Sequence, residues 1–299
     1  MYDIVILTDS RYINPKKNNW YIQQILDEDQ ILIDALLSNQ IKVIRKAWDD
    51  KYFDWSKTKY AIFRTTWDYF EKFEEFFSWI KRTKEKTRFI NSSNIIHWNI
   101  NKKYLIDLEK KGINIASTKF IKKGSKTSIS SLLKKTKWKE AIIKPAVSGA
   151  ARHTYKVTSK NYLKYEKIFN QLIKKESMLF QIFLKNIIVK GEISLIFIGS
   201  IFTHAVIKKA KTGDFRVQDD HGGTVEVYNP TKKEIIFGKK CLNALPFKTM
   251  YARVDIINDN KNQPSISEVE LIEPELWFRN YPKAAQELAK KIAMKINSE

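Results

Sequence analysis

Short apolar runs alternate along this chain with stretches whose apolar residues recur every three or four positions, the rhythm of strands interleaved with helices. Residues 2–8 predict a buried strand closing at Asp9 and Ser10, and residues 41–44 and 60–63 predict two more. Between them, Ile31, Leu32, Ala35 and Leu36 give residues 28–38 a helical face. After the third strand comes the run RTTWDY at 64–69, then an aromatic-rich helix reaching about Trp79. This order predicts an open α/β sheet over residues 1–99. Ligands of such sheets bind beyond the carboxyl ends of the strands, where Asp9, Ser10, Arg64, Thr65 and Asp68 fall. The same residue types also suit helix capping and loop hydrogen bonding.

From Asn101 the pattern changes. A helix opened by residues 101–103 carries Tyr104, Leu105 and Leu108 on one face and ends at Gly112, a suitable C-cap. Strands are expected at 113–121, 141–144 and 178–183, with a helix at 130–136. The apolar run 193–207, interrupted by Gly199 and Ser200, is too short to span a bilayer and reads as a buried hairpin. Residues 231–245 and 282–296 have amphipathic helical spacing. At this length two or three domains are expected.

Candidate chemistry concentrates in residues 251–274, YARVDIINDNKNQPSISEVELIEP, which read as two strands joined by a polar loop. Because side chains alternate across a strand, Glu268 and Glu270 share one face and Val269 and Leu271 the other. If the strands pair in the expected register, Asp255 joins the two glutamates. Clustered carboxylates repel one another unless a cation sits among them, and oxygen-only ligands suit a hard ion such as magnesium. A solvated acidic face is the alternative. Upstream, residues 144–152 (KPAVSGAAR) place Lys144 at a strand end before small residues including Ser148 and Gly149, which would let a phosphate approach the backbone. The loop lacks the glycine spacing of a P-loop, so a plain turn stays open. Residues 213–223 (GDFRVQDDHGG), ending in Gly222 and Gly223, have the composition of a loop able to close over phosphates.

Composition narrows the classes. The chain has 299 residues, 43% hydrophobic and 13% aromatic, a globular makeup. Its net charge of +21 invites a nucleic-acid reading, but the lysines are scattered through every segment, with no zinc-finger spacing, no aromatic RNA-binding signature and no basic tail. Attraction of a small polyanion fits that charge equally well. The lone Cys241 lies in an apolar run and reads as a buried hydrophobe, which leaves no disulfide framework or cysteine metal site. No histidine pair has zinc-ligand spacing. The N-terminal run lacks a basic flank and cleavage site, so a cytoplasmic protein without membrane association is expected.

Together these motifs resemble the ATP-grasp superfamily, in which two α+β subdomains, here implied at 100–184 and 185–299, clamp ATP behind an N-terminal substrate domain. The resemblance covers nearly the whole chain. It implies that Lys102 and Lys144 contact phosphates, that Gln181, Phe183 and Leu184 lie along the adenine, and that Glu192 holds the ribose hydroxyls. Arg216 takes the place of the arginine beside the transferring phosphoryl group. Arg253, Asp255, Glu268 and Glu270 match the magnesium site, Glu270 standing where asparagine is common. Asn101 likewise departs from the usual aspartate. Within the superfamily the chain looks most like the cycloserine-biosynthesis type. The likeness is carried by residues 64–69, Trp98-Asn99, Tyr104-Leu105, residues 213–216 and residues 268–274.

The resemblance implies an ATP-dependent carboxylate–nitrogen ligase acting through an acyl phosphate on a small amino-acid-like substrate, with two magnesium ions, or manganese in their place. Its partners would be a small carboxylate and a nitrogen nucleophile. Asp9, Ser10, Arg64, Thr65, Trp67, Asp68, Asp219, His221, Gly222, Gly223 and Arg279 are the expected substrate wall. A peptide-modifying ligase and a catalytically silent ATP-binding protein are the competing readings, and homo-oligomerisation is left open.

Overall fold

The computed structural model describes residues 1–16 and 19–298. Its first sheet is four-stranded and parallel, in the order β2-β1-β3-β4, built from β1 (Tyr2–Thr8), β2 (Val43–Ala47), β3 (Thr58–Thr65) and β4 (Arg88–Ile90). Alternation along β1 explains why both faces are covered: Ile4 and Ile6 enter one core while Val5 and Leu7 enter another. On the first face lie α1 (Trp20–Ser38) and the last helix of the chain, Pro282–Asn297; on the second lies α2 (Phe73–Thr83) with Trp48 and Phe63. Helix α1 starts eight residues before the periodicity places it, because the Asn19 side chain accepts Ile22 N–H at 2.9 Å and caps it there.

A short helix α3 (Ser93–Asn99), not expected from the sequence, leads to α4 (Tyr104–Lys110). The second sheet is four-stranded and antiparallel, in the order β5-β8-β6-β7. It comprises β5 (Thr118–Ile121), β6 (Glu140–Pro145), β7 (Tyr155–Thr158) and β8 (Met178–Ile182), backed by α5 (Ile129–Thr136) and α6 (Tyr162–Lys175). The strand expected over 113–121 is shorter than its apolar pattern because Ile115 bridges instead to Ile266.

After α7 (Asn186–Lys190), the third sheet has five antiparallel strands in the order β11-β10-β9-β12-β13. These are β9 (Glu192–Ile198), β10 (Ile201–Lys209), β11 (Thr224–Tyr228), β12 (Tyr251–Asn258) and β13 (Pro264–Glu270), with α8 (Lys232–Asn243) against one face. The run 193–207 is a hairpin as its pattern predicts. The chain ends in α9 (Pro282–Asn297), which returns to pack on α1, so the first and third sheets share a core through Ile198, Tyr251 and Leu288. No helix among the described residues is long and apolar enough to cross a membrane.

Candidate active site

The hairpin of β12 and β13 aligns Arg253 with Glu270 and Asp255 with Glu268, with a register shift after Asp255. Directly opposite residues of an antiparallel pair share a face, so all four side chains turn to one side. The outer edge of β13 is bonded by the side chains of Asn99 and Tyr104. Asn99 donates Nδ2 to Val269 O and accepts Leu271 N–H, both at 2.8 Å, and Val269 N–H donates to Tyr104 Oη at 3.0 Å. These bonds give Asn99 and Tyr104 a structural place beside the site.

A cavity of about 640 Å³ opens over this face. Lys102, Lys144, Ser148, Gly149, Gln181, Phe183, Leu184, Glu192, Arg216, Arg253, Asp255, Glu268 and Glu270 all line it, drawn from the second and third sheets and the loops beside them. Lys102 Nζ reaches Glu268 Oε1 and Ser148 O, each at 2.6 Å. Arg253 grips Asp255 at 2.9 Å and also bonds Glu270. Each carboxylate thus already has a cation. For that reason the three carboxylates share a face without being gathered into a ligand set, and no such group forms among the described residues.

Burial opposes ionisation of Asp255, yet Arg253 and Lys208 outweigh it and hold the group at about 2. Glu268 is likewise held below its ordinary value, Lys102 and Lys144 outweighing burial. Glu270 goes the other way: burial pushes it up to about 8, Arg253 opposing while Glu268 and Asp255 add to the rise. Lys144 differs from its neighbours. No carboxylate lies within ion-pair distance of it among the described residues, and burial lowers its pKa.

The second sheet supplies the opposite wall. Gln181 Nε2 donates to Thr118 Oγ1 at 2.9 Å, Phe183 N–H donates to Glu140 O at 3.1 Å, and Phe183 O accepts from Asn260 Nδ2 at 3.0 Å. The loop after β6 carries Ala150, Ala151 and His153 at positive φ, and a Cβ on Gly149 would lie 2.7 Å from the Phe70 ring. Arg216 is clamped by Asp214 at 2.7 Å, and that same contact lowers the pKa of Asp214. His221 Nε2 lies 3.4 Å from Ala150 O, which joins the two loops.

The expected substrate wall is only partly where the sequence placed it. Trp67 and Asp219 line the cavity; Asp9, Ser10, Arg64, Thr65, Asp68, His221, Gly222, Gly223 and Arg279 do not. Most of these are spent on internal bonds. Asp9 is fully buried and binds Arg11 at 2.7 Å, and Thr65 shares a hydroxyl bond with Thr8. Asp68 accepts Trp48 Nε1 and Lys72, and Arg64 donates to Glu28 and to Pro274 O. A Cβ on Gly223 would lie 2.3 Å from Val217 O, so that glycine permits a close backbone turn. Beside Trp67, the first unit offers Arg11, Tyr12, Tyr21 and Tyr69 to the cavity.

Lys208 was not expected. It is buried on β10, opposite Glu192 in the β9–β10 register, and binds Glu192 at 2.7 Å and Asp255 at 3.2 Å. The register of that hairpin, extended to its open end, was the signal that could have found it. Glu192 also accepts from Ser267 Oγ at 2.6 Å. Glu273 is a further addition to the wall, where burial pushes its pKa up to about 7 with Lys102 opposing.

Residues 101–293 match the family described as the RimK-like ATP-grasp domain, and residues 4–91 match the N-terminal domain of D-cycloserine synthetase DcsG. The cycloserine biosynthesis protein DcsG of Streptomyces lavendulae is 24% identical over 251 residues, 77% of this chain and 80% of its own length. Among solved structures, that of D-cycloserine synthetase DcsG superposes with a TM-score of 0.85 at 20% identity, over 98% of this chain and 99% of the other. D-alanine–D-alanine ligase of Bacillus anthracis superposes at 0.66 with 14% identity, over 100% and 98%.

Proposed function

This chain belongs to the RimK-like ATP-grasp family, and from that premise we propose that it joins a small amino-acid-like carboxylate to a nitrogen through an acyl phosphate. Membership makes it an ATP-dependent ligase. The observation that carries the finer reading is the one cavity wall shared by Lys144, without a carboxylate partner among the described residues, and by Asp255, Glu268 and Glu270. A triphosphate would supply the charge that Lys144 lacks. Released from Lys102 and Arg253, the three carboxylates, all oxygen donors on one face of the hairpin, would suit magnesium, with manganese an alternative.

In this reading residues 1–99 supply the acid-binding wall, and residues 100–184 and 185–299 hold the nucleotide between them. The Leu184 N–H, which has no backbone acceptor among the described residues, would meet the adenine edge, with Gln181 and Phe183 beside it. Glu192 would accept from the ribose hydroxyls. Lys102 and Arg253 would turn from their carboxylates to the phosphates, leaving Asp255, Glu268 and Glu270 to hold two metal ions. Bound there, the ions would offset the phosphate charge during transfer. Lys102, Lys144 and Arg216 would neutralise charge on the transferring γ-phosphoryl group, and Ser148 and Gly149 would let the loop backbone approach it. Nitrogen attack on the acyl phosphate then expels phosphate, with Arg253 and Arg216 steadying the tetrahedral oxyanion. Likeness to DcsG at the N-terminal domain favours an amino acid that carries its own nitrogen nucleophile, which would close a ring.

The test is ADP release over a panel of D- and L-amino acids and O-ureido-serine, by wild type and by Glu268→Gln. Turnover should vanish in the variant while its circular dichroism spectrum is unchanged. Near-normal ADP release by the variant would sink the assignment.

A further inference from the structure

The carboxylates of the cavity wall are not equivalent. Asp255, Glu268, Glu270, Glu192 and Glu275 each have an arginine or lysine within ion-pair distance. Glu273 lines the same wall, is half-buried, and has none among the described residues; of the two other carboxylates there, Glu71 is exposed and Asp219 has a partner of its own. Tyr69, whose hydroxyl is neutral, lines the same wall and favours the charged form of Glu273 against its burial. A shielded carboxylate with unfilled acceptor positions is costly to keep, and the cost falls when N–H donors arrive.

The backbone that carries Glu273 is held firmly. Trp67 Nε1 donates to Glu273 O at 3.0 Å, and Arg64 Nη1 donates to Pro274 O at 3.0 Å. Further along, His204 Nε2 bonds Leu276 O at 2.9 Å, and the Glu28 carboxylate accepts from Phe278 N at 2.9 Å and Arg279 N at 3.2 Å. The carboxylate therefore stands on a fixed strut that links the first and third units, three residues beyond the end of β13.

In the ligase reading, on which this inference rests, the cations of the wall serve the phosphoryl group. None of them can take the proton that a nitrogen must lose when it forms an amide. A carboxylate already paired with arginine or lysine is a poor acceptor, and one exposed to water, as Glu71 is, gains little from an arriving N–H donor, which favours the half-buried Glu273. We infer that Glu273 receives the nitrogen nucleophile, its free carboxylate oxygen accepting an N–H hydrogen bond in the bound state and the proton in the reaction. As the nitrogen lone pair forms the C–N bond, the C–O bond to phosphate breaks with its electron pair going to phosphate. The N–H proton passes to Glu273 Oε.

Two measurements on the full chain test this. The first uses methylammonium chloride as a minimal N–H ligand in the presence of ADP and magnesium, against tetramethylammonium chloride at equal ionic strength. Methylammonium should raise the melting temperature saturably in wild type and not in Glu273→Gln, and tetramethylammonium, which has no N–H, should raise neither. An equal response of wild type and variant, or of the two salts, overturns the assignment. Glutamine matches glutamate in size and shape, so the fold is preserved. The second uses hydroxylamine, which captures acyl phosphates without a base, over the amino-acid panel. The ratio of nitrogen-ligated product to hydroxamate should fall at least tenfold in Glu273→Gln and recover in part in Glu273→Asp. An unchanged ratio again refutes the role. If wild type forms no hydroxamate from any acid while its methylammonium response is intact, the acyl-phosphate reading fails and Glu273 stands as a nitrogen-binding group.

Discussion

Replacing Arg64 with methionine separates a structural arginine from a substrate-binding one. Arg64 is 1% exposed, and its guanidinium donates to Pro274 O at 3.0 Å and to Glu28 Oε1 at 3.3 Å, 5.1 Å from the Phe278 ring centre. Removing one partner of a buried ion pair costs about 3–5 kcal/mol. The lower end applies here, because Glu28 keeps Phe278 N–H, Arg279 N–H and the Arg279 guanidinium, while Asp29 keeps Arg45 at 2.7 Å. A loss of about 3 kcal/mol corresponds to a fall in Tm of about 6–12 °C for a chain of this order of size. Urea unfolding followed by tryptophan fluorescence and by far-ultraviolet circular dichroism measures it, coincident transitions licensing a single free energy. A loss below about 1 kcal/mol would refute the reasoning. So would unchanged stability with a raised KM for the acid, which would return Arg64 to the substrate wall.

Three further outcomes follow from the same geometry. Burial lowers the pKa of His204 from 6.5 to about 4, so the folded state resists its protonation and stability is lost as pH falls from 6.5 toward 4. At about 1.4 kcal/mol per pH unit, the part lost between pH 7 and pH 5 is about 2 kcal/mol, and His204→Gln should lack that part in paired urea titrations. Gly223→Ala would place a Cβ 2.3 Å from Val217 O, so residues 217–223 must shift; ADP release should drop and trypsin should cut the segment faster, and unchanged rates of both would count against the close turn. Burial pushes the Cys241 thiol up to about 12, so Ellman's reagent should leave the native chain unmodified and titrate one thiol in urea; native labelling would contradict the packing.

Much of the fold was legible because it is written in local periods. The alternation that puts Ile4 and Ile6 on one side of β1 and Val5 and Leu7 on the other is visible in the sequence, and so is the shared face of Glu268 and Glu270. Both follow from a side-chain period of two, which needs no partner to be known. The short elements β4, α3, β7 and α7 were not legible, because each spans too few residues to establish a period. Asn19 set the start of α1 through one capping bond, against a periodicity that begins later.

The side of a strand on which a residue points was the sequence's to decide; whether that side faces a cavity or a core was not. Arg64, Thr65 and Asp68 end a strand at the edge where ligands bind, yet partners such as Trp48 and Pro274, far away in sequence, turn them inward. The same long-range pairing fills the carboxylates of β12 and β13 with Lys102, Lys208 and, across the hairpin, Arg253, and leaves Glu273 without a cation among the described residues. Charge compensation depends on distances of a few ångströms between residues that only the packed chain brings together. The sequence by itself therefore determined which groups could meet on one face, and the tertiary structure decided which of them are already satisfied and which still await a ligand.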